Sequence, residues 1–191
     1  MSNRKQQTRT LVLGAILTAL VIVLQLLGSF IRLGPFSISL VLIPIVIGAA
    51  TCGYKTGAWL GFVFGVAVLL SGDAAAFLSV SVWGTVLTVL LKGALCGLVA
   101  GMVYKIFEKR NQYLAVTAAA VVCPIVNTGV FLLGCLLFFL PTITQWGAAG
   151  GFKNVAGYMF LGLAGGNFIV ELVTNIILAP VIVRIITYKE K

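Results

Sequence analysis

Six apolar runs, most of them close to 20 residues or longer, follow one another through this chain with only short polar breaks between them. A hydrocarbon layer about 30 Å thick is crossed by a helix of about 20 such residues. The runs lie at about 10–31, 37–51, 55–71, 79–105, 113–140 and 156–187, and they predict an all-α membrane protein of six transmembrane helices. Only 9% of the residues are charged and 61% are hydrophobic, with a mean hydropathy of +1.16. About a quarter of the residues in a soluble domain are charged. Residues 1–191 are therefore expected to form a single integral membrane domain, with no room for a soluble catalytic or ATP-binding domain.

Charge placement sets the orientation. With the N-terminus inside, the inner segments hold Arg4, Lys5, Arg9, Lys55, Lys105, Lys109, Arg110, Arg184, Lys189 and Lys191, while the outer ones hold Arg32 and Lys153. Ten basic residues against two predict both termini on the cytoplasmic side and hence an even number of spans. The net charge of +9 accordingly points to anionic lipid head groups rather than nucleic acid. The basic start and long first run resemble a secretion signal, but the run is too long and no small-residue cleavage site follows it, so an uncleaved first span is expected.

Within the spans, Thr51-Cys52-Gly53-Tyr54-Lys55 breaks the region 37–71 into two brief helices, the first of which carries Pro44. A proline inside a span removes a backbone donor, so that region is expected to be kinked, and either packed in protein or lining a cavity. Glycines recur at helical spacing as Gly57, Gly61 and Gly65, as Gly93, Gly97 and Gly101, and as Gly162 with Gly166, which predicts close helix packing. Ala15 and Ala19 form a similar small-residue pair on the first span; they serve either a partner helix or packing within the chain. The outer connections are Leu33 to Phe36, Ser71 to Leu78 and Pro141 to Val155. The last is glycine-rich, and reads either as a mobile cover over a site or as a plain exposed connection.

Ionisable groups at mid-span cost about 2.5–3.5 kcal/mol on insertion scales and must face protein, water or ligand. Lys92 in the fourth span and Glu171 in the sixth lie at similar depth. They either pair with each other, or Lys92 meets an anionic group of a ligand while Glu171 orients it. Asn167, Glu171 and Asn175 share one helix face, and Asn127 lies near the middle of the fifth span. That polar stripe suggests a wet cavity, with interhelical amide bonding as the competing explanation. Trp83 and Trp146 near the outer boundary are candidates for stacking on a ligand or for the interfacial aromatic belt. Gln25, Arg32 and Asp73 sit at the outer rim, where Arg32 and Asp73 are placed to close a gate together.

Several function classes lack residues. The chain contains no histidine, and its four cysteines, Cys52, Cys96, Cys123 and Cys135, show no paired metal-ligand spacing, so no metal site is expected and the thiols are read as free. Gly48 to Thr56 has the look of a phosphate loop, but its lysine is displaced and its flanks are membrane spans. Motifs for intramembrane proteolysis and metal hydrolysis are missing, so no enzyme is expected. With four acidic residues in all, proton relays are few, and energised transport would require another subunit.

Taken in order, the basic start followed by Ala15-Ile16-Leu17-Thr18-Ala19, the short second and third spans around Ile43-Pro44 and Gly53-Tyr54-Lys55-Thr56-Gly57, and Leu91-Lys92-Gly93 in the fourth resemble the S components of energy-coupling factor (ECF) transporters. The resemblance runs over nearly the whole chain. It implies a substrate-capture subunit in the plasma membrane of a prokaryote, binding a vitamin from outside in an occluded outer-half pocket. Its partners would be a membrane T subunit, which packs on Ala15 and Ala19, and two ATPase subunits, which spend the ATP. The chain itself would bind no cofactor.

The expected substrate-binding residues are Lys92, Asn127, Asn167, Glu171, Asn175 and Trp83. Lys92 suits a carboxylate, and few aromatics fall near the predicted outer cavity, which favours a small aliphatic acid such as pantothenate over folate or riboflavin. Lys-Gly in this position recurs among S components of different specificity, which counts against Lys92 as the discriminating residue. The alternative to capture is a six-span scaffold for cell-envelope assembly that binds no small molecule.

Overall fold

The computed structural model describes residues 3–29, 32–33, 36–37 and 40–190. Its elements are α1 (Asn3–Gly28), a two-residue antiparallel ladder of β1 (Arg32–Leu33) and β2 (Phe36–Ser37), α2 (Leu42–Cys52), α3 (Tyr54–Ser71), α4 (Ala75–Leu78), α5 (Val82–Phe107), α6 (Gln112–Phe138), α7 (Leu140–Ala149), α8 (Val155–Gly157), a π-helical segment Tyr158–Gly165 and α9 (Gly166–Glu190). Residues 30 and 31 of the predicted first span and 38 and 39 of the second lie outside the described residues.

Among the described residues five stretches are long and apolar enough to cross a membrane: Gln7–Gly28, Tyr54–Ser71, Val82–Phe107, Gln112–Phe138 and Val155–Arg184. The predicted second span is the exception. Its helix, α2, has 11 residues, about 16 Å of rise, or half the hydrocarbon thickness. Its buried residues Leu42, Pro44, Ile45, Val46, Gly48 and Ala49 occur on every side, and it touches α1, α3, α5, α6 and α9. An all-round apolar helix of this kind is a core element. Pro44 is its third residue, inside the first turn, where N–H groups have no intrahelical partner. The expected kink is therefore absent at Pro44, and the residue is packed in protein away from the cavity described below. Prolines within long helices occur instead at Pro124 of α6 and Pro180 of α9.

Gly53, at φ 93° and ψ 166°, separates α2 from α3. Only glycine adopts that backbone without strain, which explains why the predicted break falls there. Beyond it the glycine stripes of α3 and α5 meet face to face. A Cβ on Gly61 would strike the carbonyl oxygen of Gly93 and one on Gly93 the carbonyl of Gly61; Gly57 and Gly97 stand in the same relation. Gly101 packs on the backbone of Tyr54, and Gly65 on Val89 and Leu90. Backbone-to-backbone contact without side chains is how helices associate where lipid supplies no hydrophobic drive. The Gly162 and Gly166 pair makes no such seam: nothing lies within 4 Å of a Cβ at Gly166, and Gly162 faces the ring of Tyr158 one turn away.

Two buried apolar clusters result. The larger joins α1, α2, α3, α5, α6 and α9 through residues such as Leu17, Leu42, Ile45, Leu60, Phe64, Cys96, Ala119 and Ile182. The smaller collects Phe77, Leu132, Cys135, Phe139, Ile143, Met159 and Leu163 from α4, the end of α6, α7 and the π-helical segment. The connection 141–155, expected as a glycine-rich loop, is largely helix α7, which packs Ile143 and Gly147 inward.

Candidate functional site

The seam between these clusters holds a cavity with an empty volume of about 890 Å³, counting its mouth. Its walls come from Gln25 of α1, Phe64 and Val68 of α3, Asp73, Ala74 and Phe77 between α3 and α5, and Thr85, Thr88, Val89 and Lys92 of α5. Asn127, Thr128 and Phe131 of α6, Phe139 between α6 and α7, Leu163 and Ala164 of the π-helical segment, and Asn167 and Glu171 of α9 complete them. The end of α1, the end of α3, the start of α5 and the start of α9 meet here, so the cavity opens at the end of the bundle opposite the N-terminus.

Of the six predicted ligand residues, Lys92, Asn127, Asn167 and Glu171 line this cavity. The ammonium of Lys92 lies 5.2 Å from the centroid of Phe64 and 5.7 Å from that of Phe131. Ring faces return about 0.5–2 kcal/mol to a cation each, less than the several kcal/mol needed to strip an ion of water. No ion pair within 4.0 Å joins Lys92 to Glu171 or to any other carboxylate among the described residues. The two charges thus face one cavity without closing on each other.

Glu171 is buried, and both its oxygens are occupied. Asn167 Nδ2 donates to Oε1 at 3.0 Å and Asn127 Nδ2 to Oε2 at 3.4 Å. The stripe on α9 therefore folds back on its own central carboxylate. Asn175 lies off the cavity wall: it is buried, and its Nδ2 donates to the backbone carbonyl of Glu171 at 3.0 Å. The Oδ1 atoms of Asn127, Asn167 and Asn175 and Oγ1 of Thr88 are buried without a hydrogen-bond partner. Trp83 is 86% exposed on the outside of α5 and does not reach the cavity. Its belt alternative is the one its position suits, because a residue two positions into the helix points away from the Thr85, Thr88 and Lys92 face.

At the rim, Gln25 is buried and its Nε2 donates to Asp73 Oδ2 at 2.6 Å and to Ser71 Oγ at 3.4 Å. The side chain of Arg32, the expected partner of Asp73 in a gate, lies outside the described residues. Phe77 closes the cavity from α4 and sits edge-on to three rings, those of Phe131 at 5.6 Å, Phe139 at 5.1 Å and Trp146 at 5.5 Å. This aromatic wall overturns the expectation that few rings lie near the cavity. Phenylalanines in uniformly apolar spans give no contrast from which to pick out the inward ones. Thr85 and Thr88 were legible: with Lys92 they repeat a helical face inside an apolar run.

Ala15 and Ala19 are exposed. α1 packs on the bundle through Leu17, Val21 and Gln25, a stripe four residues apart on the opposite side. Neither alanine is buried against the bundle, while Thr18 between them accepts a hydrogen bond from Trp59 Nε1 of α3 at 3.2 Å.

A bundle of apolar helices around a lysine-bearing, ring-lined cavity describes a membrane solute-binding protein. Comparison with known proteins names the class: the family described as "ECF transporter, substrate-specific component" matches residues 9–186, and the chain belongs to it. It is a multi-pass membrane protein and a transporter's substrate-binding component rather than an enzyme. The chain is also 26% identical to the pantothenic acid transporter PanT of Lactococcus lactis subsp. cremoris (strain MG1363), over 96% of each chain. No solved structure matches it significantly.

Proposed function

We propose that this chain captures a small carboxylic acid of the pantothenate type from outside a prokaryotic cell and hands it to an ATP-driven complex. The observation that carries the reading is Lys92: a cation held between two ring faces, in a cavity, with no carboxylate in ion-pair contact. The carboxylate of an incoming acid would supply the missing counter-charge, and the relative's name supplies the candidate acid. Four phenylalanines leave the absence of rings useless as an argument against flat vitamins, but the ring faces of Phe64 and Phe131 are engaged by the lysine, and Phe77 meets its neighbours edge-on. They offer walls to an aliphatic chain rather than a stacking slot.

In this reading the whole chain is one membrane domain in the plasma membrane, with six helices counting the short α2 and both termini cytoplasmic. That topology puts Lys55, Lys105, Lys109 and Arg110 inside and the cavity mouth outside. The chain binds no cofactor; ATP is spent by two ATPase subunits joined through a membrane T subunit. The exposed Ala15 and Ala19 supply the docking face, since small residues let a partner helix approach α1 closely.

Isothermal titration of the detergent-purified chain with a panel of vitamins tests the capture reading. Pantothenate should bind with submicromolar affinity, and Lys92→Met should weaken it by about 100-fold, the worth of a buried charged hydrogen bond of about 2–3 kcal/mol. A chain that stays empty across the panel would instead fit a scaffold. For docking, Ala15→Leu and Ala19→Leu should each abolish co-purification with the T subunit at unchanged pantothenate affinity; loss of affinity would show that the alanines serve the bundle itself.

A further inference from the structure

Glu171 is a buried member of the cavity wall whose carboxylate holds two asparagine side chains. Both its oxygens accept amide N–H groups, from Asn167 at 3.0 Å on its own helix and from Asn127 at 3.4 Å on α6, and the residue is 1% exposed. A carboxylate accepts hydrogen bonds, so it draws the nitrogen of each amide and turns the oxygen away. Those two Oδ1 atoms belong to residues of the cavity wall, are buried, and have no donor in the structure. Orphaned buried acceptors are uncommon in folded proteins, and two of them set by one carboxylate beside a cavity call for a common explanation. Asn175 is held differently, through the backbone carbonyl of Glu171, and stands off the cavity.

We propose that Glu171 is a positioning residue for specificity: by fixing Asn127 and Asn167 with their nitrogens toward itself, it makes their carbonyl oxygens the acceptors for hydroxyl or amide N–H donors of the ligand. The inference rests on the capture reading above and deepens it. Lys92 recognises the anionic end shared by many acids, whereas the amide pair selects those that carry donors elsewhere on the molecule. Each carboxylate oxygen of Glu171 accepts one amide N–H, so part of its acceptor capacity is committed to holding the two asparagines.

The test is a ratio measured by calorimetry on the purified full chain: the affinity for pantothenate divided by that for the analogue of identical carbon skeleton in which both hydroxyls are replaced by hydrogen. The unaltered protein should prefer pantothenate by about 100-fold, near tenfold for each hydroxyl. In Glu171→Gln the new amide offers donor and acceptor alike, the two asparagines lose their fixed sense, and the preference should fall below about tenfold. Asn167→Leu, at a half-buried position, removes one acceptor and should cost about tenfold of the preference by itself; it decides the matter if Glu171→Gln does not fold. Equal affinity of the unaltered protein for both compounds, or an undiminished preference in the variants, overturns the proposal and leaves the capture reading standing. Binding of neither compound overturns the capture reading itself.

Discussion

The two ends of the bundle are built from different materials. Toward the N-terminal end, α3 and α5 meet backbone on backbone through Gly57, Gly61, Gly93 and Gly97, and the core around them is filled by residues such as Leu42, Ile45 and Leu60. Toward the other end the bundle encloses a cavity, packing passes to the rings grouped about Phe77, and the buried amide oxygens of Asn127 and Asn167 go without donors. Glycine seams permit one geometry, because no side chain can shift to absorb a displacement. Rings meeting edge-on permit several, since each contact is worth only about 0.5–1.5 kcal/mol. The contrast sets a closely fitted end against a ring-lined one that holds the cavity.

The sharpest way to break this comparison is Gly61→Leu. The added side chain has only the Gly93 backbone to push against, so destabilisation should exceed the roughly 1–3 kcal/mol typical of overpacking, and the variant should not be recovered as a monodisperse protein in size-exclusion chromatography. Phe77→Ala should do less. It deletes three ring contacts and enlarges the cavity, which predicts a loss of about 2–3 kcal/mol, seen as a lower unfolding temperature of a protein that still assembles. If the two variants proved equally damaging, the ends would not differ in the way described. Trp83→Ala should change neither unfolding temperature nor ligand affinity by a measurable amount, since the side chain is exposed and off the cavity wall. An effect on affinity would restore it to the site.

What could be read in advance follows from contrast. The glycine stripes stand out because four-residue spacing on both α3 and α5 has few other uses in a span, and Gly57, Gly61, Gly93 and Gly97 meet one another across the seam. Lys92, Asn127, Asn167 and Glu171 stood out because each is expensive in hydrocarbon. Spacing alone overreached at Asn175, which shares the face of Glu171 but lies a turn further along α9, off the cavity wall. The phenylalanine wall was hidden among other apolar residues, and Trp83 was misassigned because nearness to the boundary says nothing about which side of a helix a residue occupies. Helix α7 carries its signals openly, Pro141 in the first turn and Gly150 just past the end, the usual asymmetry of helix ends, but the glycine content of 141–155 masks them. The shortness of α2 was visible; that it would be enclosed on all sides was not, since apolar residues look alike whether they face lipid or protein.

Helix α1 buries Leu17, Val21 and Gln25 against the bundle, and the last of these holds Asp73 at the mouth of the cavity through a 2.6 Å hydrogen bond. From Ala19 to Gln25 is six residues, about 9 Å of rise. The rod that carries the exposed Ala15 and Ala19 thus also supplies a residue of the cavity rim, so the two places are joined by a little over a turn and a half of rigid helix.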